Sequence, residues 1–135
     1  NWHIRKKINQ KKAWIVTVNE NEKILGYAIC LENSNKKIEL KRIQIIDLMA
    51  LNDNSEVYIS LIKKCILEAK NRDYHVFEIV GFNHTKRKFF TKFKTFKRKL
   101  PSFPFYYKSQ SKNDEIFLKN KEVWDPSLID GDSFL

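Results

Sequence analysis

The first half of the chain alternates apolar runs with short polar segments. Residues 13–18 read AWIVTV and residues 24–31 read ILGYAICL, with the polar sequence NENEK between them. β-Branched and aromatic residues favour strands and polar residues favour turns, so the two runs predict a β-hairpin. Gly26 lies inside the second run, where a glycine indicates a bulge or a close approach of another part of the chain.

A third apolar run, residues 38–51, predicts a third strand and ends at the polar sequence NDNS. Asp53 and Glu56 have the spacing of a capping box, which predicts that a helix begins there. Apolar residues then recur at helical spacing, at Tyr58, Leu61, Ile62, Cys65 and Ala69. Residues 74–82 predict a fourth strand, and the order strand, helix, strand implies a right-handed crossover between parallel strands.

Residues 84–99, the basic segment, hold eight Lys and Arg residues and no acid. Phe89, Phe93 and Phe96 recur at helical spacing within it, which predicts an amphipathic helix with a cationic outer face. Two proline residues follow the segment and are expected to end the helix. Residues 103–108 and 115–118 then predict two last strands that form a hairpin.

Together these elements predict an α/β (α+β) fold with a mixed, mostly antiparallel sheet. Its parts are a β-meander, a crossover helix, a parallel strand, a basic amphipathic helix and a C-terminal hairpin. A chain of 135 residues with 42% hydrophobic residues suits one domain with its own core. We therefore expect a single domain over residues 1–135, as the central and C-terminal part of a longer chain, with an acidic tail at residues 119–135.

The net charge of +10 arises from 26 basic and 16 acidic residues, and the basic segment accounts for all but +2 of it. Such a concentration predicts attraction to phosphates, anionic surfaces or acidic partners. From residue 113 onward six acids follow, so the tail is a candidate internal partner for the basic segment: Asp114, Glu115, Glu122, Asp125, Asp130 and Asp132.

The two cysteines, Cys30 and Cys65, lie in apolar segments without CxxC spacing. They predict buried, reduced thiols in a cytoplasmic protein, with a disulfide as the alternative. The three histidines are far apart, so no metal site is predicted. The chain has no apolar run of the roughly 18 residues that a membrane span needs, and no signal peptide at its start.

The order of elements over about residues 13–118 resembles the central and C-terminal part of the GNAT acyltransferase family. Gly26 and Tyr27 resemble a Gly-aromatic pair that is common in one strand of that family. The resemblance implies transfer of an acyl group from acetyl-CoA or another acyl-CoA to an amine of a small molecule or peptide. It implies Asp47 as the catalytic carboxylate, and Glu78, an acid inside the apolar fourth strand, is a second candidate. The cofactor would lie between the third and fourth strands, near Leu48, Ala50, Asn52, Asn54, Ser55, Asn83, Lys86 and Arg87.

Two family motifs are altered in this chain. The family's glycine-rich loop, which receives the pyrophosphate of coenzyme A, corresponds to residues 51–57, which contain no glycine and two acids. The family's Asn-x-x-Ala motif, with a tyrosine acid seven residues after the Asn, corresponds to Asn83, with Lys86 at the Ala and Phe90 at the Tyr. A phenyl ring cannot protonate a leaving thiolate, so the resemblance supports the fold better than the activity.

Three interpretations of function therefore stay open. The first is a divergent GNAT-like acyltransferase, the second a non-catalytic domain with the same fold, and the third a nucleic-acid-binding module that uses the basic segment. Asp47 and Glu78 also have plain structural alternatives, as carboxylates that pair with lysines. The oligomeric state is not predicted.

Overall fold

The computed structural model describes residues 2–99 and 106–130 and contains four strands and four α-helices within these ranges. The strands are β1 (Ala13–Glu20), β2 (Lys23–Glu32), β3 (Arg42–Ala50) and β4 (Val76–Ile79). The helices are α1 (Trp2–Asn9), α2 (Ser55–Asn71), α3 (His84–Phe90) and α4 (Lys112–Lys119). Short 3₁₀ turns lie between several of them.

The four strands form one sheet in the order β1-β2-β3-β4. The pairs β1–β2 and β2–β3 are antiparallel, whereas β4 joins β3 in parallel after the crossover through α2. This arrangement confirms the predicted fold class and its meander, crossover helix and parallel strand. The third and fourth strands are shorter than the predicted ranges 38–51 and 74–82.

Helix α2 packs on the sheet and contributes six buried residues to a core that the strands β1, β2 and β3 complete. Ala28 and Cys30 of β2 face Leu61 and Cys65 of α2, and all four are fully buried. Both cysteines are free thiols. A hydrogen bond with Cys65, together with burial, raises the pKa of the Cys30 thiol far above its ordinary value, so this thiol stays protonated. The predicted burial of both cysteines is confirmed.

Helix α2 and strand β3 both approach the backbone of Gly26 closely. A Cβ atom at this position would lie 2.7 Å from the Met49 carbonyl oxygen and 2.7 Å from Cγ1 of Val57. A bulge lies beside it, because Val18 pairs with Gly26 whereas Asn19 pairs with Ile24. Both predictions for this glycine, a bulge and a close approach, are confirmed.

The predicted helix over the basic segment is wrong beyond Phe93. The α-helix ends at Phe90, a 3₁₀ turn covers Thr91–Phe93, and Lys94 adopts a left-handed conformation with φ 50°. Within an extended helix, the like charges of Lys94 and Arg98 would be neighbours one turn apart, with no acid to offset them. The chain therefore leaves the helix, and Phe96 is 94% exposed rather than packed on the sheet.

The predicted C-terminal hairpin is also wrong, because residues 115–118 lie inside helix α4. The side chain of Ser111 caps this helix by accepting a hydrogen bond from the Asp114 amide, and Glu115 pairs with Lys119 one turn later. These helix signals outweigh a short apolar run. Residues 103–105 of the predicted first hairpin strand lie outside the described residues.

The chain divides into two compact units. The sheet unit comprises Asn1–Gly81 and Ser127–Leu135, and the second unit comprises Phe82–Pro126. Within the described part of the chain, no helix combines the length and the apolar character that crossing a bilayer requires. The same residues contain no group of three or more His, Cys, Asp and Glu side chains placed to hold a metal ion.

Candidate active site

The pairing of the parallel strands β3 and β4 stops before the end of β3. Their pairing extends from Arg42 opposite Val76 to Ile45 opposite Ile79, where β4 ends. Strand β3 continues to Ala50. Five residues of β3 thus lie beyond the last pair, and this stretch leads directly into the start of α2. In sheets with parallel strands, ligands bind where the carboxyl ends of neighbouring strands part.

A β-bulge determines which face of the sheet Asp47 occupies. Ile29 pairs with Asp47 and Cys30 pairs with Ile45, so Ile46 is an additional residue in β3. Ile45 and Ile46 are both fully buried. In a regular strand Gln44 and Asp47, three residues apart, would point to opposite faces. The bulge places both on the face away from α2.

The carboxylate of Asp47 is held by two hydrogen bonds. The Tyr27 hydroxyl donates to Oδ2 over 2.9 Å, and the Leu48 amide donates to Oδ1 over 2.9 Å. Each carboxylate oxygen can accept a further hydrogen bond, so the group keeps capacity for a ligand. The sequence did not identify Tyr27 as a partner, because its place diagonally opposite Asp47 depends on the strand register, in which Tyr27 pairs with Met49.

Glu78, the second predicted carboxylate, joins β3 to β4. The Gln44 side-chain amide donates to its Oε2 over 2.9 Å, and its Oε1 lies 3.6 Å from Nη1 of Arg42. Asp47 and Glu78 thus share one face of the sheet, as Gln44 pairs with Glu78 in register. The Glu78 carboxylate is engaged with a cation, whereas the partner of Asp47 is a neutral hydroxyl.

The polar side chains of the loop between β3 and α2 form hydrogen bonds with the first turns of α2. Asn52 and Asp53 adopt left-handed conformations with φ 54° and 51°. The side chain of Asn54 then caps α2, accepting hydrogen bonds from the amides of Glu56 (2.9 Å) and Val57 (3.3 Å). The cap is therefore Asn54, not the predicted Asp53, whose carboxylate instead accepts a hydrogen bond from the Tyr58 hydroxyl over 2.7 Å.

The other predicted cofactor contacts of the sheet unit lie around this loop. Leu48 and Ala50 are buried, with 0% and 5% exposure, so their side chains belong to the core. Asn52 and Ser55 are exposed on the loop and on the first turn of α2. The structure thus brings Leu48, Ala50, Asn52, Asn54 and Ser55 together along the end of β3 and the start of α2.

The three predicted contacts of the second unit are engaged within that unit. Asn83 caps α3 by accepting a hydrogen bond from the Lys86 amide over 2.9 Å. Lys86 itself is only 4% exposed and forms an ion pair with Asp125. Arg87 donates through Nε to the Phe82 carbonyl over 2.7 Å. The pair between Lys86 and Asp125 realises the predicted complementarity of the basic segment and the acidic tail.

Removal of Asp125 is expected to destabilise the protein more than removal of Lys86. Asp125→Ala leaves a buried ammonium without this carboxylate, whereas Lys86→Met removes the charge and keeps an apolar chain of similar length. Because the Asp125 side chain is 39% exposed, we expect losses of about 1–2 kcal/mol for Asp125→Ala and under about 1 kcal/mol for Lys86→Met. Urea unfolding measures both, with Glu122→Ala in the same tail as the control. Equal losses from Asp125→Ala and Glu122→Ala would contradict a stabilising pair.

The chain is similar in structure to several solved acetyltransferases. Ribosomal-protein-alanine N-acetyltransferase from Brucella melitensis biovar Abortus 2308 is 13% identical, with a TM-score of 0.59 over 78% of this chain and 79% of that chain. Glucosamine-6-phosphate N-acetyltransferase from Arabidopsis thaliana is 11% identical, with a TM-score of 0.63 over 78% of this chain and 74% of that chain. A predicted acetyltransferase from Clostridium acetobutylicum, solved with acetyl-CoA, is 14% identical, with a TM-score of 0.62 over 78% of this chain and 71% of that chain.

These likenesses show that the chain has the fold of the GNAT acetyltransferases, as the sequence predicted. No protein-family model matches the chain. A search of curated proteins likewise gives no match.

Proposed function

We propose that this chain, given its GNAT acyltransferase fold, transfers an acyl group from acyl-CoA to an amine. The main observation in support is that the pairing of β3 with β4 ends at Ile45, two residues before Asp47. The Asp47 carboxylate can still accept hydrogen bonds from a ligand, and it lies in the part of β3 whose main chain is not paired with β4. The alternative within the same fold, binding without catalysis, would not require a carboxylate at this point.

The end of β3 suits the pantetheine arm of an acyl-CoA. That arm contains two amide groups, which pair well with the main chain of a strand end, and the five residues of β3 beyond Ile45 provide such a strand end. Ala50 would contribute through its main chain, since its side chain is buried, whereas the Leu48 amide already donates to Asp47. Acetyl-CoA, or another acyl-CoA, would supply the acyl group as a thioester.

The start of α2 suits a pyrophosphate poorly. The amides of Glu56 and Val57, which a phosphate would need, already donate to the Asn54 side chain. The carboxylates of Asp53 and Glu56 add two negative charges at this helix end, where they favour the helix but repel an anion. We infer that the affinity for acyl-CoA comes mainly from the pantetheine arm and that it is weak.

Neutralising the two acids is therefore expected to strengthen binding of acetyl-CoA. Asp53→Asn with Glu56→Gln keeps side chains of similar size and an oxygen that can accept from Tyr58. We expect the dissociation constant to fall about threefold to thirtyfold, since each of the two charges at the helix end contributes about 0.3–1 kcal/mol. Thermal-shift titration with acetyl-CoA and with desulfo-CoA measures the change.

The matched control neutralises Glu39 and Asp73, two exposed acids that precede β3 and β4 and thus lie at the opposite end of the sheet. Glu39→Gln with Asp73→Asn should leave the titration unchanged. If neither the wild-type protein nor the variant at residues 53 and 56 is stabilised by millimolar acetyl-CoA, the proposed function is wrong.

In the proposed reaction Asp47, as general base, first takes a proton from the ammonium form of the acceptor. The neutral nitrogen then attacks the thioester carbonyl and the bond from carbon to sulfur breaks. The second proton of the nitrogen passes through water to the thiolate, so that coenzyme A leaves as a thiol, and Asp47 returns its proton to solvent. Tyr27 positions this carboxylate through its hydrogen bond to Oδ2. Glu78 would act at most in support, because its carboxylate is already paired with Arg42. A carboxylate at the site also attracts an acceptor in its ammonium form, from a small molecule or a peptide.

A further inference from the structure

The second unit contains a strongly cationic stretch, residues 92–99, which we call the basic loop. Its sequence is KFKTFKRK, and all five of its cations are exposed: Lys92, Lys94, Lys97, Arg98 and Lys99. From Lys94 onward it has no regular secondary structure. Because the helix ends before it, these cations extend along an open stretch of chain rather than around a helix.

Three of the four acids of the same unit are engaged outside the basic loop. Asp114 accepts a hydrogen bond from Ser111, Glu115 pairs with Lys119, and Asp125 pairs with Lys86. Within the described residues, no ion pair involves a cation of the basic loop. The stretch therefore presents a net charge of about +5 to solvent, which attracts a polyanion.

An aromatic ring lies among these charges. Phe96 is 94% exposed, between Lys94 and Lys97 in the sequence, whereas Phe90 is 7% exposed and packs edge-on against Phe82 with ring centroids 5.7 Å apart. The end of the helix at Lys94 removes Phe96 from the apolar stripe that the sequence predicted. The result is a free aromatic face beside cations, the combination that binds unstacked nucleic-acid bases.

We propose that the basic loop binds single-stranded nucleic acid, with phosphates on its cations and one base stacked on Phe96. A single strand is favoured over a duplex because only an unstacked base can reach the ring. A lipid surface is a weaker fit, since interfacial segments bury a broad apolar face of an α-helix, whereas this stretch contains no α-helix and one almost fully exposed apolar side chain. The inference is independent of acyl transfer.

Fluorescence anisotropy with labelled oligouridylate at low salt tests the stacking contact. Phe96→Leu keeps an apolar side chain and removes the aromatic face, so the dissociation constant should rise about tenfold. The matched control is Phe117→Leu, which changes an exposed phenylalanine of α4 that is 62% exposed and lies near two acids. That variant should bind as the wild-type protein does.

The salt dependence tests the phosphate contacts. For single strands each neutralised phosphate adds about 0.7 to the slope of log K against log salt, so Lys94→Gln with Lys97→Gln should reduce the slope by about 1.4. Lys63→Gln with Lys70→Gln, two exposed cations of α2, should leave it unchanged.

Three results would overturn the proposal. One is an unchanged affinity of Phe96→Leu for oligouridylate, which would leave only generic charge attraction. Another is equal affinity for a duplex of the same length. The third is a preference for vesicles containing phosphatidylserine that Phe96→Leu retains, which would indicate a lipid surface. Titration of the same variants with acetyl-CoA tests the proposed acyl transfer separately, so that a failure of nucleic-acid binding is not confused with a failure of acyl-CoA binding.

Discussion

Gly26→Val is expected to lower the free energy of unfolding by about 3 kcal/mol. A Cβ at this position would meet the Met49 carbonyl oxygen at 2.7 Å and Leu61 Cδ1 at 3.1 Å, in addition to Val57. The carbonyl belongs to β3 and cannot move without disturbing the ladder, so α2 or the sheet must shift. Overpacking of this kind costs about 1–3 kcal/mol, and the two further methyl groups of valine place Gly26→Val at the upper end. The midpoint of urea unfolding measures the loss.

A double-mutant cycle with Val57 tests the cause of this loss. Gly26→Ala should cost about 1–2 kcal/mol, because the clash destabilises the folded state while alanine lowers the conformational entropy of the unfolded chain and so offsets part of that loss. Val57→Ala removes the Cγ1 atom that lies 2.7 Å from the added Cβ. The two changes together should therefore cost less than their sum, by about 0.5–1 kcal/mol. Strictly additive losses would show that the clash with α2 does not cause the destabilisation.

The parts of the fold that the sequence predicted correctly depend on local patterns. The meander and the crossover helix follow from runs of β-branched residues and from apolar side chains at helical spacing, both properties of neighbours in the chain. The close approach at Gly26 was predictable for the same reason, since a glycine weakens an apolar strand unless a bulge or a neighbouring segment requires it.

The elements that were missed depend on contacts between distant residues. Residues 43–51 are nearly all apolar, so no alternation reveals that Ile46 is the additional residue of a bulge. Yet that bulge decides whether Asp47 points toward α2 or away from it. Lys86 is a similar case, because its burial depends on Asp125, 39 residues later in the chain. A cluster of cations predicts attraction to phosphates but not which of its members is already paired.

Two helix boundaries show how competing local signals mislead. The capping-box spacing of Asp53 and Glu56 correctly predicted that a helix begins here. The cap itself is the neighbouring Asn54, and Asp53 accepts a hydrogen bond from Tyr58 instead. In the basic segment, the aromatic stripe continued to Phe96 in sequence, although repulsion between like charges and the left-handed Lys94 end the helix earlier. Because the helix ends before Phe96, this side chain is exposed instead of packed on the sheet.

Asp47→Asn is expected to reduce kcat for acetyl transfer by about 10²–10⁴, with little change in the KM for acetyl-CoA. Asparagine has nearly the same shape and can still accept hydrogen bonds from Tyr27 and from the Leu48 amide, but it cannot take a proton from the amine. Release of the coenzyme A thiol can be followed with Ellman's reagent, because Cys30 and Cys65 are fully buried. A panel of lysine, glucosamine and a peptide with a free N-terminus provides the acceptor. Glu78→Gln should lower kcat much less.

The pH dependence distinguishes a base from a merely structural carboxylate. An acceptor amine is mostly protonated at pH 7, so the wild-type protein depends on Asp47 to remove its proton. Near pH 10 much of the amine is already neutral, and the difference in kcat between Asp47→Asn and the wild-type protein should shrink at least tenfold. Tyr27→Phe, which removes the positioning hydroxyl and keeps the carboxylate, should show a smaller loss. A loss in Asp47→Asn that is the same at pH 7 and pH 10 would contradict the role as base, because it would mean that Asp47 acts only by holding Tyr27.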